Sequence, residues 1–314
     1  MRLIAIDAGK VGIGDQICYE PTIRALTHLW PNDDIRVLAN DPCIFAHLPV
    51  TAATTPADLL KGQTPDLVIP CSPFRINREK GCIETHPFAT FATPSFIHTV
   101  DFTSMFVLHR MLIDAEKRPQ LRVTEAAEER LHDLLVPYDI SLLVLLHLGS
   151  SDGDDRFIPV EYQQAIVDWL LEKGYLVAVF GASSHGPIAQ VDLRDGLVIN
   201  LVDKLDLPML FALIQKARLL ITNDSCPVHI AGAFDQPILL LPTLKHPDHT
   251  LHVRDGLRYW RAKAVFNKVA LEGVSLEPDQ LLAYGSMRFK MIKECLPDIY
   301  AVLRAIKELI NPYA

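Results

Sequence analysis

"RLLITNDSCPVHIAGAFDQPILLLPT", Arg218–Thr243, holds the pattern from which the rest of the chain is read. The short apolar run at its start reads as a strand. Asn223, Asp224 and Ser225 then break the run, and an apolar helical stretch follows from Cys226. A second apolar run, "QPILLLPT", is bounded by proline at both ends. Short apolar strands alternating with helices argue for a parallel sheet covered by helices. At the helix start, Ser225 is a candidate cap. The amides that a helix leaves unpaired at this end suit a phosphate. His229, one turn further on, adds a donor. Taken alone, the segment reads equally well as a capped helix with a half-buried histidine.

The same alternation extends upstream. "SLLVLLHLG" (141–149), "EYQQAIVDWLLEKG" (161–174), "YLVAVFGA" (175–182) and "LPMLFALIQKA" (207–217) continue it, each bounded by Gly, Pro, Asn or Asp. An earlier series starts at "RLIAID" (2–7). A helical pattern follows, with Ile17, Ile23, Leu26 and Leu29 near helical spacing although Pro21 lies inside it. "DIRVLAN" and "DLVIP" add strands. The polar, proline-interrupted stretch 71–95, with Arg75, Arg78 and Lys80, breaks the rhythm. "EAAEERLHDLL" is helical, with glutamates weighted to its front as the helix dipole favours, and Pro137 ends it. The expectation is an α/β chain of two doubly wound domains, 1–137 and 138–314. The last helix, about 288–311, is able to pack on either of them.

Composition narrows the function. The 314 residues are 49% hydrophobic and 22% charged, as in soluble globular proteins. A net charge of -8 disfavours broad capture of nucleic acid. No apolar run approaches the ~20 residues of a membrane span, and the N-terminus does not read as a signal peptide. The six scattered cysteines form no CxxC pair and read as reduced thiols, so a cytoplasmic protein is expected. Peripheral contact with a membrane stays open.

Three further stretches carry polar chemistry. "VGIGDQ" places Gly12, Gly14 and Asp15 between a strand and a helix. Such glycines allow a sharp turn and close ligand approach. Asp15 reads as a helix cap or as a group facing a ligand, and a carboxylate there suits an acceptor hydroxyl better than a diphosphate. "HLGSSDGDDRFIP" brings Arg156 close to a strand's carboxyl end, where it can bind phosphate or pair with Asp152, Asp154 or Asp155. "LKHPDHTLH" repeats His246, His249 and His252. Pro247 argues against a shared helix face, so no metal site is expected.

Together these segments resemble glycosyltransferase family nine, the ADP-heptose–lipopolysaccharide heptosyltransferases. "VGIGDQICYEPTIRALTHLWPNDDIRVL" looks like the family's GxGD opening, and "INLVDKLDLPMLFALIQKARLLITNDSCPVHIAGAFDQPILLLPT" like its D-[ST]-G-x-x-H-[LI]-A segment. The resemblance implies a GT-B fold, two Rossmann-like domains facing across a cleft. It implies an inverting, metal-independent transferase that needs no cofactor. A nucleotide-diphosphate sugar, heptose-like in the family, would be the donor, and a lipopolysaccharide core or other glycan the acceptor. By the same resemblance Asp15 is the catalytic base. Arg156, Asp224, Ser225, Cys226 and His229 lie on the donor phosphate side. Gly12, Gly14, Arg75, Arg78 and Lys80 lie on the acceptor side. The sequence departs from the family at Cys226, where glycine is usual, at Ser183, Ser184 and His185, where a glutamate is common, and at "RFIP" in place of K-x-W-P. Alternative readings are transfer to a modified nucleobase or protein, and a nucleotide-sugar-binding protein without turnover.

Overall fold

The computed structural model describes residues 1–8, 12–70, 74–77, 82–85, 116–149, 158–184, 190–241, 251, 253–254, 257–258, 262–264 and 297–310. The chain divides into two compact units, Met1–Arg122 and Val123–Ala314.

The first unit runs β1 (Leu3–Asp7), α1 (Ile13–Leu29), β2 (Asp34–Leu38), β3 (Thr51–Ala53), α2 (Pro56–Leu60) and β4 (Leu67–Pro70). Its four strands are parallel in the order β3-β2-β1-β4, with Ile4 level with Ile35 on one side and Leu67 on the other. β1 is central, and Ile4, Ala5 and Ile6 are buried, as expected of a strand covered on both faces. Winding goes outward from β1 to β3 and then returns to the far side for β4. The switch point therefore lies between β1 and β4. Stretch 71–95, where the strand and helix rhythm fails, contains an antiparallel pair, β5 (Phe74–Asn77) with β6 (Cys82–Thr85).

The second unit runs α3 (Glu125–Leu135), β7 (Leu143–His147), α4 (Val160–Glu172), β8 (Leu176–Gly181), β9 (Val198–Val202), α5 (Leu207–Lys216), β10 (Leu219–Thr222), α6 (Cys226–Ala233) and β11 (Ile238–Leu240). A short antiparallel pair, β12 (Val253–Arg254) and β13 (Leu257–Arg258), precedes β14 (Ala262–Ala264) and the last helix α7 (Ile299–Ile310). Six parallel strands are ordered β14-β11-β10-β7-β8-β9. All residues of β7 and β10 are buried, which is why both read as unbroken apolar runs.

One boundary differs from expectation. α3 belongs to the second unit, so the divide falls before this helix and not after Pro137. It packs on α5. Asp206 links the two helices: it caps α5 by accepting the Met209 amide at 2.9 Å and pairs with Arg130 of α3 at 2.6 Å. α7 also belongs to the second unit, packed on α4 and β11. Val302, Ile306 and Ile310 recur at helical spacing and are buried. Beside this helix the Tyr162 hydroxyl donates to the Pro297 carbonyl at 2.8 Å, and burial, with Asp298 close by, pushes that hydroxyl's pKa up.

Candidate functional site

In the first unit, β1 leads at its carboxyl end towards Gly12, which is the N-cap of α1 with φ -62 and ψ 163. The Gly12 carbonyl accepts the Gln16 amide at 3.0 Å. Asp15 therefore stands in the first helical turn and is not the cap. It is exposed, and the helix dipole favours a carboxylate there. A Cβ built on Gly12 would lie 3.7 Å from Asp15 Oδ2, so the carboxylate sits over the glycine.

The opening of α1 is anchored by polar groups. Gln16 is fully buried. Its amide nitrogen donates to Asp41 Oδ2 at 3.3 Å, and its oxygen accepts the Asp41 backbone amide at 3.1 Å. One turn on, Glu20 is also fully buried. It accepts Arg24 Nε at 2.9 Å and the Gln120 backbone amide at 2.8 Å, and it lies 3.1 Å from His47 Nε2. Arg24 in turn donates to the Arg118 carbonyl at 2.8 Å. Sequence reading passed over these residues. The available signal was the spacing of four between Gln16, Glu20 and Arg24, a polar stripe within an apolar helix.

In the second unit the winding reverses between the neighbours β7 and β10: β8 and β9 continue on one side, β11 on the other. Ligands of open α/β sheets bind outside the carboxyl ends of strands at such a point. His147 is the last residue of β7 and is in register with Thr222, the last of β10. Asn223, Asp224 and Ser225 follow directly. His147 is buried, its ring 5.2 Å from that of Phe180. Ser225 Oγ lies 3.2 Å from His147 Nδ1. His147 was missed at the sequence level, although a histidine ending the run "LVLLH" was a visible signal.

Ser225 occupies the N-cap of α6, yet its side chain makes no capping bond. Pro227 has no amide to offer. The Val228 amide donates to the Ser225 carbonyl at 3.1 Å, and the Ser225 amide to the Asn223 carbonyl at 2.9 Å. The amides at this helix start are thus more engaged internally than the sequence suggested. Asp224 is buried, and Cys226 and His229 are half-buried. At the end of β8, the Ser183 amide donates to Asp203 Oδ1 at 2.9 Å. Asp203 itself adopts the left-handed conformation, φ 59.

The structure therefore places Gly12, Gly14 and Asp15 together at one switch point, and Asp224, Ser225, Cys226 and His229 together at the other. Arg75 is placed by its backbone alone, in β5. Arg78, Lys80, Arg156, His185, His246, His249 and His252 lie outside the described residues. Among the described residues, no group of three or more His, Cys, Asp or Glu is gathered as for a metal ion, and no helix is long and apolar enough to cross a membrane.

The family model for glycosyltransferase family 9 (heptosyltransferase) matches residues 93–264, more than half of the chain. The chain belongs to glycosyltransferase family 9. Lipooligosaccharide heptosyltransferase 2 of Haemophilus influenzae is 28% identical over 114 residues, 34% of this chain and 33% of that protein. The chain spans less than half the length of the curated relatives it matches. Solved structures align along nearly all of it. The family 9 glycosyl transferase of Veillonella parvula superposes with a TM-score of 0.70 at 16% identity, covering 99% of this chain and 98% of that one. E. coli ADP-heptose lps heptosyltransferase II gives 0.66 at 16% identity, covering 99% of each chain. This family 9 chain has the GT-B fold that its sequence implied.

Proposed function

We propose that the chain is an inverting glycosyltransferase that moves a sugar from a nucleotide-diphosphate sugar to an acceptor hydroxyl. The observation that carries this reading is the exposed Asp15 carboxylate at the switch point of the first unit's sheet. Membership of family 9 supports it. The names of its relatives point to a heptose-like, ADP-linked donor and a lipopolysaccharide core acceptor.

In the proposed reaction Asp15 accepts the proton of the acceptor hydroxyl. The oxygen attacks C1 of the donor sugar from the face opposite the diphosphate. The C1–O bond to the phosphate breaks, and its electron pair leaves on the nucleoside diphosphate. Attack from the opposite face inverts the anomeric centre. Ser225, His229 and the Cys226 backbone amide are assigned to the leaving phosphates, with Asp224 as a supporting member of the same turn. Arg156 is assigned the balancing positive charge. Gly12 and Gly14 keep the approach to Asp15 open. Arg75, Arg78 and Lys80 are assigned to anionic groups of the acceptor. No metal enters these steps, so a chelator should leave activity intact.

The test is Asp15→Asn. Because Asp15 is not the cap, this change removes only its interaction with the helix dipole, about 0.3–1 kcal/mol. Turnover should fall about 10²–10⁴-fold, with nucleotide-diphosphate affinity unchanged by calorimetry. Near-full turnover in a folded Asp15→Asn protein would move the base elsewhere.

A further inference from the structure

We propose that His147 is a positioning residue for the donor site: it aims the Ser225 hydroxyl at a phosphoryl oxygen of a nucleoside diphosphate. The proposal rests on the donor-site reading above and adds to it a residue that the resemblance did not supply.

Three observations carry it. First, a serine at an N-cap ordinarily accepts an amide of the first helical turn. Here Pro227 has no such amide, the Val228 amide is bonded to the Ser225 carbonyl, and no capping bond is made by the side chain. The hydroxyl is released from the usual task of its position. Second, that hydroxyl lies 3.2 Å from His147 Nδ1. Third, the histidine is itself fixed. It ends a central buried strand, stands in register with Thr222 and rests beside the Phe180 ring. Hydrogen bonding between β7 and β10 thus sets the separation of the two partners before any ligand arrives.

A serine hydroxyl has one proton and can also accept. When the His147 Nδ1–H donates to Oγ, the hydroxyl proton is directed away from the ring. An anionic phosphoryl oxygen is the ligand chemistry that accepts it. The sheet switch point lies at the same place, so the aimed proton sits where a ligand of this fold class binds. His147 need not touch the ligand for this.

The test is a double-mutant cycle read with ADP by calorimetry and with donor turnover. Ser225→Ala and His147→Leu should each weaken ADP binding about ten-fold, the size of one hydrogen bond to a charged group. The double variant should be no weaker than Ser225→Ala alone, because both changes remove one interaction. His147→Asn keeps an N–H near the position of Nδ1 and should recover most of the affinity. KM for the donor should rise and kcat should fall as well, because a contact to the leaving diphosphate strengthens as charge develops on it. Ser225→Ala binding ADP like the unaltered protein would overturn the proposal, as would losses that multiply in the double variant. His147→Leu lowering only the melting temperature would also overturn it. If the unaltered protein binds no nucleoside diphosphate from a panel, the donor-site reading itself fails. Binding by the unaltered protein with unchanged variants sinks only the role of His147.

Discussion

Buried polar networks and buried apolar faces contribute differently to the two helices that open at the two switch points. α1 enters its unit through buried polar groups, Gln16 against Asp41 and Glu20 against Arg24, His47 and the Gln120 amide. α6 is pressed onto β10 and β11 through Pro227, Val228, Ile230 and Ala231, all buried. Apolar packing is non-directional and sets how deep a helix lies. Hydrogen bonds are directional and also set how it is rotated. α1, with these directional anchors, presents an exposed carboxylate in its first turn. In the proposed reaction, the group aimed at the reacting atom stands on an element whose rotation is fixed.

The largest effect expected from this contrast is at Glu20. Removing one member of a buried charged network leaves the others unpaired, so Glu20→Ala should cost about 3–5 kcal/mol in urea unfolding. Arg130→Ala, which loses a pair whose side chains are 53% and 46% exposed, should cost no more than about 1 kcal/mol. Equal costs at the two sites would mean that the network does not hold α1, and the contrast between the helices would collapse.

A smaller pair of changes separates aim from depth. Ile230→Val should cost about 0.5–1.5 kcal/mol through lost packing and leave turnover unchanged. Gln16→Met should cost about 1 kcal/mol, the size of a net hydrogen bond. If Asp15 is the base proposed above, it should also lower turnover about ten-fold or more, because small misplacements of a catalytic group are costly. Turnover that follows stability alike in both variants would remove the distinction.

Much of this organisation was legible in the sequence, for identifiable reasons. Parallel strands buried on both faces must be apolar throughout, so "LVLLH" and "LLIT" stood out as strands. The front-loaded glutamates marked the start of α3, where Thr124 accepts the Ala127 amide. The pairing of α3 with α5 was not legible, because it depends on Arg130 meeting Asp206 far along the chain. His147 and Ser225 are likewise distant in sequence and meet only because β7 and β10 are neighbours. Glu20 carries no local mark of burial. Its burial follows from the return of the chain at residues 116–120, which no local pattern announces.

The smallest expected effect tests why a glycine stands at position 12. Gly174 provides the comparison. It follows the end of α4 with φ +79, and its amide and that of Tyr175 close the helix on the Leu171 and Leu170 carbonyls. A Cβ there meets nothing within 4 Å, so the cost of Gly174→Ala is backbone strain alone, about 1–2 kcal/mol. Gly12 has φ -62, which any residue adopts, and its added Cβ would make only ordinary contact with Asp15 Oδ2 at 3.7 Å. Gly12→Ala should therefore cost no more than about 0.5–1 kcal/mol, the preference for glycine over alanine at an N-cap. The added methyl group would nonetheless occupy the space beside the Asp15 carboxylate, where the proposed reaction brings the acceptor hydroxyl. Melting temperature and turnover measured on one preparation decide between the two roles. A melting temperature lowered no further than this cap cost, with a raised acceptor KM, is the expected result and assigns the glycine to ligand access. An unchanged KM would mean that Gly12 serves only the turn, and that the space beside Asp15 is not where the acceptor lies.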